Sequence, residues 1–238
     1  MNIPILMYHQ IDQPPPSGTP LRGLIVRPAS FARQMRVLKL LGYQGLSMRD
    51  LEPFLNGKKQ GRVVGITFDD GYQNNLTYAL PVLSRFGFSA TCYGLSSMMG
   101  GTNSWDQGAV ACKPLMTLDE WHQWLNAGMD VGSHTCTHVK LIDQLPAQAK
   151  QQIADSKREL EHLLGSEVRH FCYPYGSYSD EHCTMVKEAG YISATTTQRG
   201  RNAIGDDPFQ LRRIMVACST NLALFAAKVL TAYEDRRR

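Results

Sequence analysis

The stretch RVVGITFDDGYQNN, residues 62–75, decides the fold. Val63, Val64, Ile66 and Phe68 are β-formers, and the run ends in two adjacent carboxylates, Asp69 and Asp70, followed at once by Gly71. Neighbouring carboxylates repel, and burying them together is costly unless a positive charge sits beside them. The stretch therefore predicts a strand that delivers an acidic pair to a site.

Working outward, one rhythm repeats: a helical segment ends in Gly and a β-rich segment begins. It occurs at Gly42-Tyr43, Gly87-Phe88, Gly128-Met129, Gly165 and Gly190-Tyr191. Gly is the usual residue just past a helix end, where φ turns positive. Phe31, Met35 and Leu38 keep helical spacing after Ser30, which reads as an N-cap. Thr117-Leu-Asp-Glu120 is a capping-box pattern ahead of Trp121, Trp124 and Leu125. The spacing predicts a long helix over 146–164, with Ile153, Leu160, Leu163 and Leu164 toward the core. A last helix covers 221–233, with Leu222, Leu224, Phe225 and Val229. Candidate strands are 3–8, 62–69, 89–95, 129–134, 168–174, 191–197 and 211–216. Strand and helix alternate throughout, which predicts a mainly parallel α/β sheet, open or closed into a barrel. No linker or second composition zone interrupts residues 1–238, so they read as one domain. The Pro-rich piece at 14–20 reads as a surface loop able to act as a lid.

With 43% hydrophobic and 19% charged residues the chain has the composition of a globular protein with a real core. A net charge of +4, with Arg236–Arg238 the one dense basic run, gives no case for nucleic-acid binding. No stretch approaches the roughly 18 apolar residues of a membrane span. The opening MNIPILMYHQ lacks the features of an export leader, so the expectation is a cytoplasmic protein. A chain trimmed of its leader would read the same. Six cysteines without a C-x-x-C pair read as free thiols, most of them small buried hydrophobes.

In a parallel α/β fold, loops at the carboxyl ends of strands build the site. The strand ends here carry His9, then Asp69 and Asp70, then His134 with His138 four residues on, then Pro174, Tyr175 and Gly176. One carboxylate and two imidazoles make a common hydrolytic metal set with positions left for water and substrate. A divalent cation would answer the charge problem of the acidic pair. One aspartate would bind it, and the other would take a proton from the bound water, whose pKa falls toward roughly 7. His122, His162 and His182 fall in helical segments and read as surface residues; His170 sits early in its strand, away from the rim.

TFDDGY (67–72), SHTCTH (133–138) and YPYG (173–176), in that order, resemble the polysaccharide deacetylases with NodB homology. LMYHQI at the start further resembles the branch that acts on poly-N-acetylglucosamine. The resemblance covers roughly residues 3–216. It implies a distorted (β/α) barrel and metal-dependent removal of acetyl from an N-acetylated sugar. By motif position, Asp69 is the base, and Asp70, His134 and His138 hold the metal, zinc ahead of nickel, cobalt or iron. Pro174 and Tyr175 face the substrate, the Tyr175 N–H toward the developing oxyanion. Many members carry Arg where this chain has Cys172; Arg213, in LRRIMV, is the candidate to steady the base instead. The last strand also lacks the histidine many members place there, which leaves His9 as the acid for the departing amine. Trp105 is a candidate to stack on a sugar ring. Three rival readings stay open on the sequence. One is the same site acting on a cyclic imide, ureide or formamido sugar. The others are an iron oxygenase and a glycan-binding module with a dead site.

Overall fold

The computed structural model describes residues 2–237. Met1 and Arg238, the ends of the domain range and the last of the basic run, lie outside them. The strands are β1 (Ile5–Tyr8), β2 (Gln10–Ile11), β3 (Ile25–Val26), β4 (Gln44–Leu46), β5 (Val63–Phe68), β6 (Thr91–Gly94), β7 (Asp130–Ser133), β8 (His170–Cys172), β9 (Ser193–Arg199) and β10 (Leu211–Met215). The helices are α1 (Pro28–Leu40), α2 (Met48–Leu55), α3 (Leu80–Phe86), α4 (Leu118–Asn126), α5 (Pro146–Leu164), α6 (Asp180–Glu188) and α7 (Leu222–Leu230).

Seven parallel strands close into a ring, because β1 pairs with both β10 and β5 while β5 to β10 follow in order. This is the distorted (β/α) barrel. β4 flanks β5 outside the ring, and β2 with β3 forms a separate two-residue pair. The ring is irregular at β9–β10: between Leu211 and Arg213 the register slips, so four steps of β9 oppose two of β10. Such slips re-aim side chains next to active sites.

All six residues of β5 are buried, as a strand covered on both faces requires. Val64, Ile66 and Phe68 join the layer beneath the helices, while Val63 belongs to a second apolar cluster with Ile5, Tyr93 and Cys172. Gly65 faces Ile5 and Leu51 of that inner cluster, and Thr67 donates to the Leu6 carbonyl at 2.8 Å. Side chains alternate along a strand. Positions 63, 65 and 67 therefore point into the barrel, and Asp69 continues that series.

The seven candidate strands are all present, most of them shorter than read. The five helix-end glycines have φ between 61° and 86°. Several expectations need correction. α1 begins at Pro28, with Arg27 as cap, so Ser30 lies inside the helix; Pro at the first turn fixes the start. Leu163 and Leu222 are exposed. α7 ends at Leu230, with Asn221 capping it. His182 is buried, not on the surface: its Nδ1 accepts from the Ser179 N–H at 3.0 Å at the start of α6. All six cysteines are free, but only Cys92, Cys136 and Cys172 are buried. No helix among the described residues is long and apolar enough to cross a membrane.

Candidate active site

The polar ends of β1, β5, β7 and β8 meet on one rim. Five non-glycine residues among those described have positive φ, and four stand here: Asp70 (74°), Thr135 (73°), His138 (61°) and Tyr175 (59°). Such conformations are costly for residues with a Cβ and cluster at functional sites. After Asp69 continues the inward series of β5, the left-handed turn at Asp70 and Gly71 swings the second carboxylate aside. Gly71 is required twice, for φ of 74° and for space: a Cβ there would lie 2.8 Å from Trp121 Cζ2. Trp121 is held by α4, whose Thr117–Glu120 capping box is formed.

Asp69 and Asp70 have different partners. Arg213, fully buried, donates to Asp69 Oδ1 and Oδ2 at 2.6 and 2.7 Å. A guanidinium has five N–H donors. The rest of its contacts go to Thr196 O at 2.9 Å, Thr67 Oγ1 at 3.1 Å and Cys172 Sγ at 3.1 Å. Five partners match five donors, which is what a buried charge requires. Burial pushes the Asp69 carboxyl up, but Arg213 outweighs it and holds the group below its usual range. The small Cys172 leaves room for the arginine from β10.

Asp70 faces imidazoles. Its Oδ1 is 3.4 Å from His134 Nε2 and 3.2 Å from His138 Nε2. That oxygen is buried and finds no hydrogen-bond partner of acceptable geometry. His134 Nδ1 lies 2.7 Å from the Cys172 carbonyl, which only accepts, so Nδ1 carries a proton and Nε2 is left to face the site. Burial favours neutral Asp70, yet the two histidines hold it well below the ordinary carboxylate range. Burial, helped by the neighbouring His134, keeps His138 below its ordinary value; at His134 the same burial is outweighed by Cys172 and Asp70, which lift it. The trio therefore calls for positive charge beside Asp70. An orphan buried oxygen and two imidazole nitrogens, within 4.8 Å of one another, are a donor set that fits a dication. Asp69, His134 and Cys172 lie equally close together, but Arg213 already supplies the positive charge there.

His9 Nε2 lies 3.9 Å from Asp69 Oδ2, with the side chain 17% exposed. Pro174 opens a short turn, 174–176, in which Tyr175 is left-handed and half exposed. Trp105 is half-buried and stacks on His138, ring centroids 4.4 Å apart at 21°. One face of its indole is thus occupied by a side chain of the site. Sequence reading missed two contributors. Asn75, fully buried, donates to the His9 carbonyl at 2.7 Å and accepts from the Ile11 N–H at 3.2 Å, pinning the segment that carries His9. The doubled Asn of GYQNN was its only signal. The Tyr175 hydroxyl lies 3.1 Å from His138 Nδ1, which no spacing rule foretells.

Fold and site together define a class: a closed parallel barrel whose carboxyl-end rim carries a carboxylate–bis-histidine cluster and an arginine-held carboxylate. Residues 56–194, more than half of the chain, match the family model "Polysaccharide deacetylase", and the chain belongs to that family. Over 230 residues it is 25% identical to the poly-beta-1,6-N-acetyl-D-glucosamine N-deacetylase of Staphylococcus epidermidis, covering 89% of this chain and 78% of that one. The Streptococcus pyogenes deacetylase PplD, solved with acetate, is 26% identical with a TM-score of 0.83, covering 96% of this chain and 98% of that one. IcaB from Ammonifex degensii, at 22% identity, shares the fold with a TM-score of 0.82 over 96% and 97% of the two chains.

Proposed function

We propose that this protein is a metal-dependent hydrolase that removes acetyl groups from an N-acetylated saccharide of the N-acetylglucosamine type. The observation that carries the reading is the division of labour between neighbouring aspartates. Asp69 is tied to Arg213, while Asp70 is turned toward His134 and His138.

Asp70, His134 and His138 would hold the dication, zinc first among the candidates. Bound there, it would supply Lewis acidity and a water able to lose its proton near neutral pH. Asp69 takes that proton. Its depressed pKa keeps it ionised at neutral pH, and Arg213 fixes the position of both oxygens. The Tyr175 N–H, presented by the left-handed turn, donates to the oxygen of the acetamide carbonyl as negative charge develops there. His9, beside Asp69 and still in contact with solvent, protonates the departing amine. The sugar class comes from the family and from the named substrate of the Staphylococcus epidermidis relative.

Acetate release from short N-acetylglucosamine oligomers, measured with metal-loaded and chelator-treated protein, tests the reading. Release that needs the metal is expected. Turnover of a cyclic imide or formamido sugar with no acetate release would replace it with the same chemistry on another amide.

A further inference from the structure

We propose that the Tyr175 side chain is a positioning residue that couples the metal ligand His138 to the amide aimed at the oxyanion. The inference rests on the metal-hydrolase reading above and adds to it a device within the same site.

The two ligand histidines are oriented by different means. His134 gives its Nδ1 proton to a main-chain carbonyl, Cys172 O, at 2.7 Å. No side-chain change can remove that acceptor. Among the described residues His138 has no such main-chain partner for Nδ1; the atom within reach, at 3.1 Å, is the hydroxyl of Tyr175. For Nε2 of His138 to present a lone pair beside Asp70, the proton must sit on Nδ1, and Tyr175 Oη is the acceptor that keeps it there. The rings agree with this role. Tyr175 meets the His138 ring edge-on, centroids 4.6 Å apart at 67°, while Trp105 lies flat against it. The indole stops the imidazole from tilting, and the phenol selects its tautomer.

Tyr175 can transmit this because its backbone cannot move freely. It sits at φ 59°, ψ 2°, and Gly176 follows at φ 69°. A Cβ on Gly176 would collide with Thr197 Oγ1, so the turn is packed directly against β9. Lys140 stands over the Tyr175 ring, 5.8 Å from its centroid. A phenol held in this way moves together with its own amide. The residue that offers the N–H to the oxyanion therefore also sets the angle of a metal ligand, and each arrangement stabilises the other.

The test compares wild type, Tyr175→Phe and Trp105→Phe. Tyr175→Phe removes one oxygen from a half-exposed residue and leaves the backbone amide in place. Zinc affinity is measured by chelator competition, the ligand field by the visible spectrum of the cobalt form, and turnover by acetate release. For Tyr175→Phe we expect zinc affinity to fall by about tenfold or more. A shifted cobalt spectrum and a lower kcat at nearly unchanged KM accompany it. Trp105→Phe, which keeps an aromatic face on His138, should retain the wild-type spectrum. Wild-type affinity and an unshifted cobalt spectrum in Tyr175→Phe would overturn the coupling while leaving the deacetylase reading intact. If the wild type itself binds no dication through Asp70, His134 and His138, the metal reading falls and this inference with it.

Discussion

Arg213 on β10 grips both oxygens of Asp69 at the end of β5, at 2.6 and 2.7 Å, reaching past β1 inside the barrel. Removing one partner of a buried pair leaves an uncompensated charge, which costs about 3–5 kcal/mol. Arg213→Met should therefore destabilise the fold by about that much in urea unfolding, and acetate release should fall with it. Arg213→Lys keeps the charge but loses the fork, so it should recover only part of both losses. A loss of under about 1 kcal/mol in Arg213→Met would mean that Asp69 is protonated in the folded state, contrary to its depressed pKa.

Asp69→Asn and Asp70→Asn should separate cleanly. Asp70→Asn removes the carboxylate that lies against both His134 and His138, so metal content, read by elemental analysis after dialysis, should drop with activity. Asp69→Asn should retain the metal and lose turnover. The reverse pattern would exchange the two roles.

The pH response of stability has two opposing sources. Asp69 and Asp70 are depressed in the folded state, so their contribution is present above about pH 4 and is lost as pH falls through the folded values. Asp130, buried at the start of β7, is pushed the other way, to about 6, chiefly by burial. For a raised acid the contribution is full below its unfolded value and is lost as pH rises through about 6. Both hydrogen bonds to its carboxylate, from Thr91 Oγ1 at 2.6 Å and the Arg49 N–H at 3.4 Å, fall on Oδ2, and an amide oxygen can accept the same pair. Asp130→Asn should thus stabilise the protein at pH 7 by about 3 kcal/mol, taking about 1.4 kcal/mol per pKa unit. It should do little at pH 4. Thermal unfolding at the two pH values reads the difference; equal effects at both would contradict the raised acid.

Gly176→Ala meets both a positive φ and the Thr197 side chain. The expected outcome is a loss of about 1–3 kcal/mol in stability, from strain and overpacking. A fall in kcat larger than any change in KM should accompany it, because the turn carries the Tyr175 amide. Steady-state kinetics on an N-acetylglucosamine oligomer check this.

The seven ring strands were legible as β-rich runs between helical segments, several of them stopping at a polar residue. The rim was legible because those stops carry chemistry. What lay outside sequence reach has physical causes. β4 is only three residues long, and α2 carries Pro53 in its interior, so neither shows a sustained period. An arginine in LRRIMV was visible, but its target depends on barrel closure and on the register slip at β10, neither of which is written locally. Trp105 was visible as an aromatic in a loop; that its face covers His138 follows from how that loop folds back. The Tyr175 hydroxyl reaches His138 only because the backbone turns left-handed, and a tyrosine gives no warning of that.

The ring is sealed by β1, which must hydrogen-bond to β5 on one side and to β10 on the other. During synthesis the first of these neighbours emerges early and the second only after residue 211. Until then a nascent chain can hold an open sheet, with Asp69 lacking a guanidinium partner 144 positions away. Contacts of such sequence separation form late and slow a chain's folding. Catalytic competence should therefore arrive in one step once β10 has emerged, and a ribosome-stalled fragment ending before β10 should be inert whatever metal surrounds it.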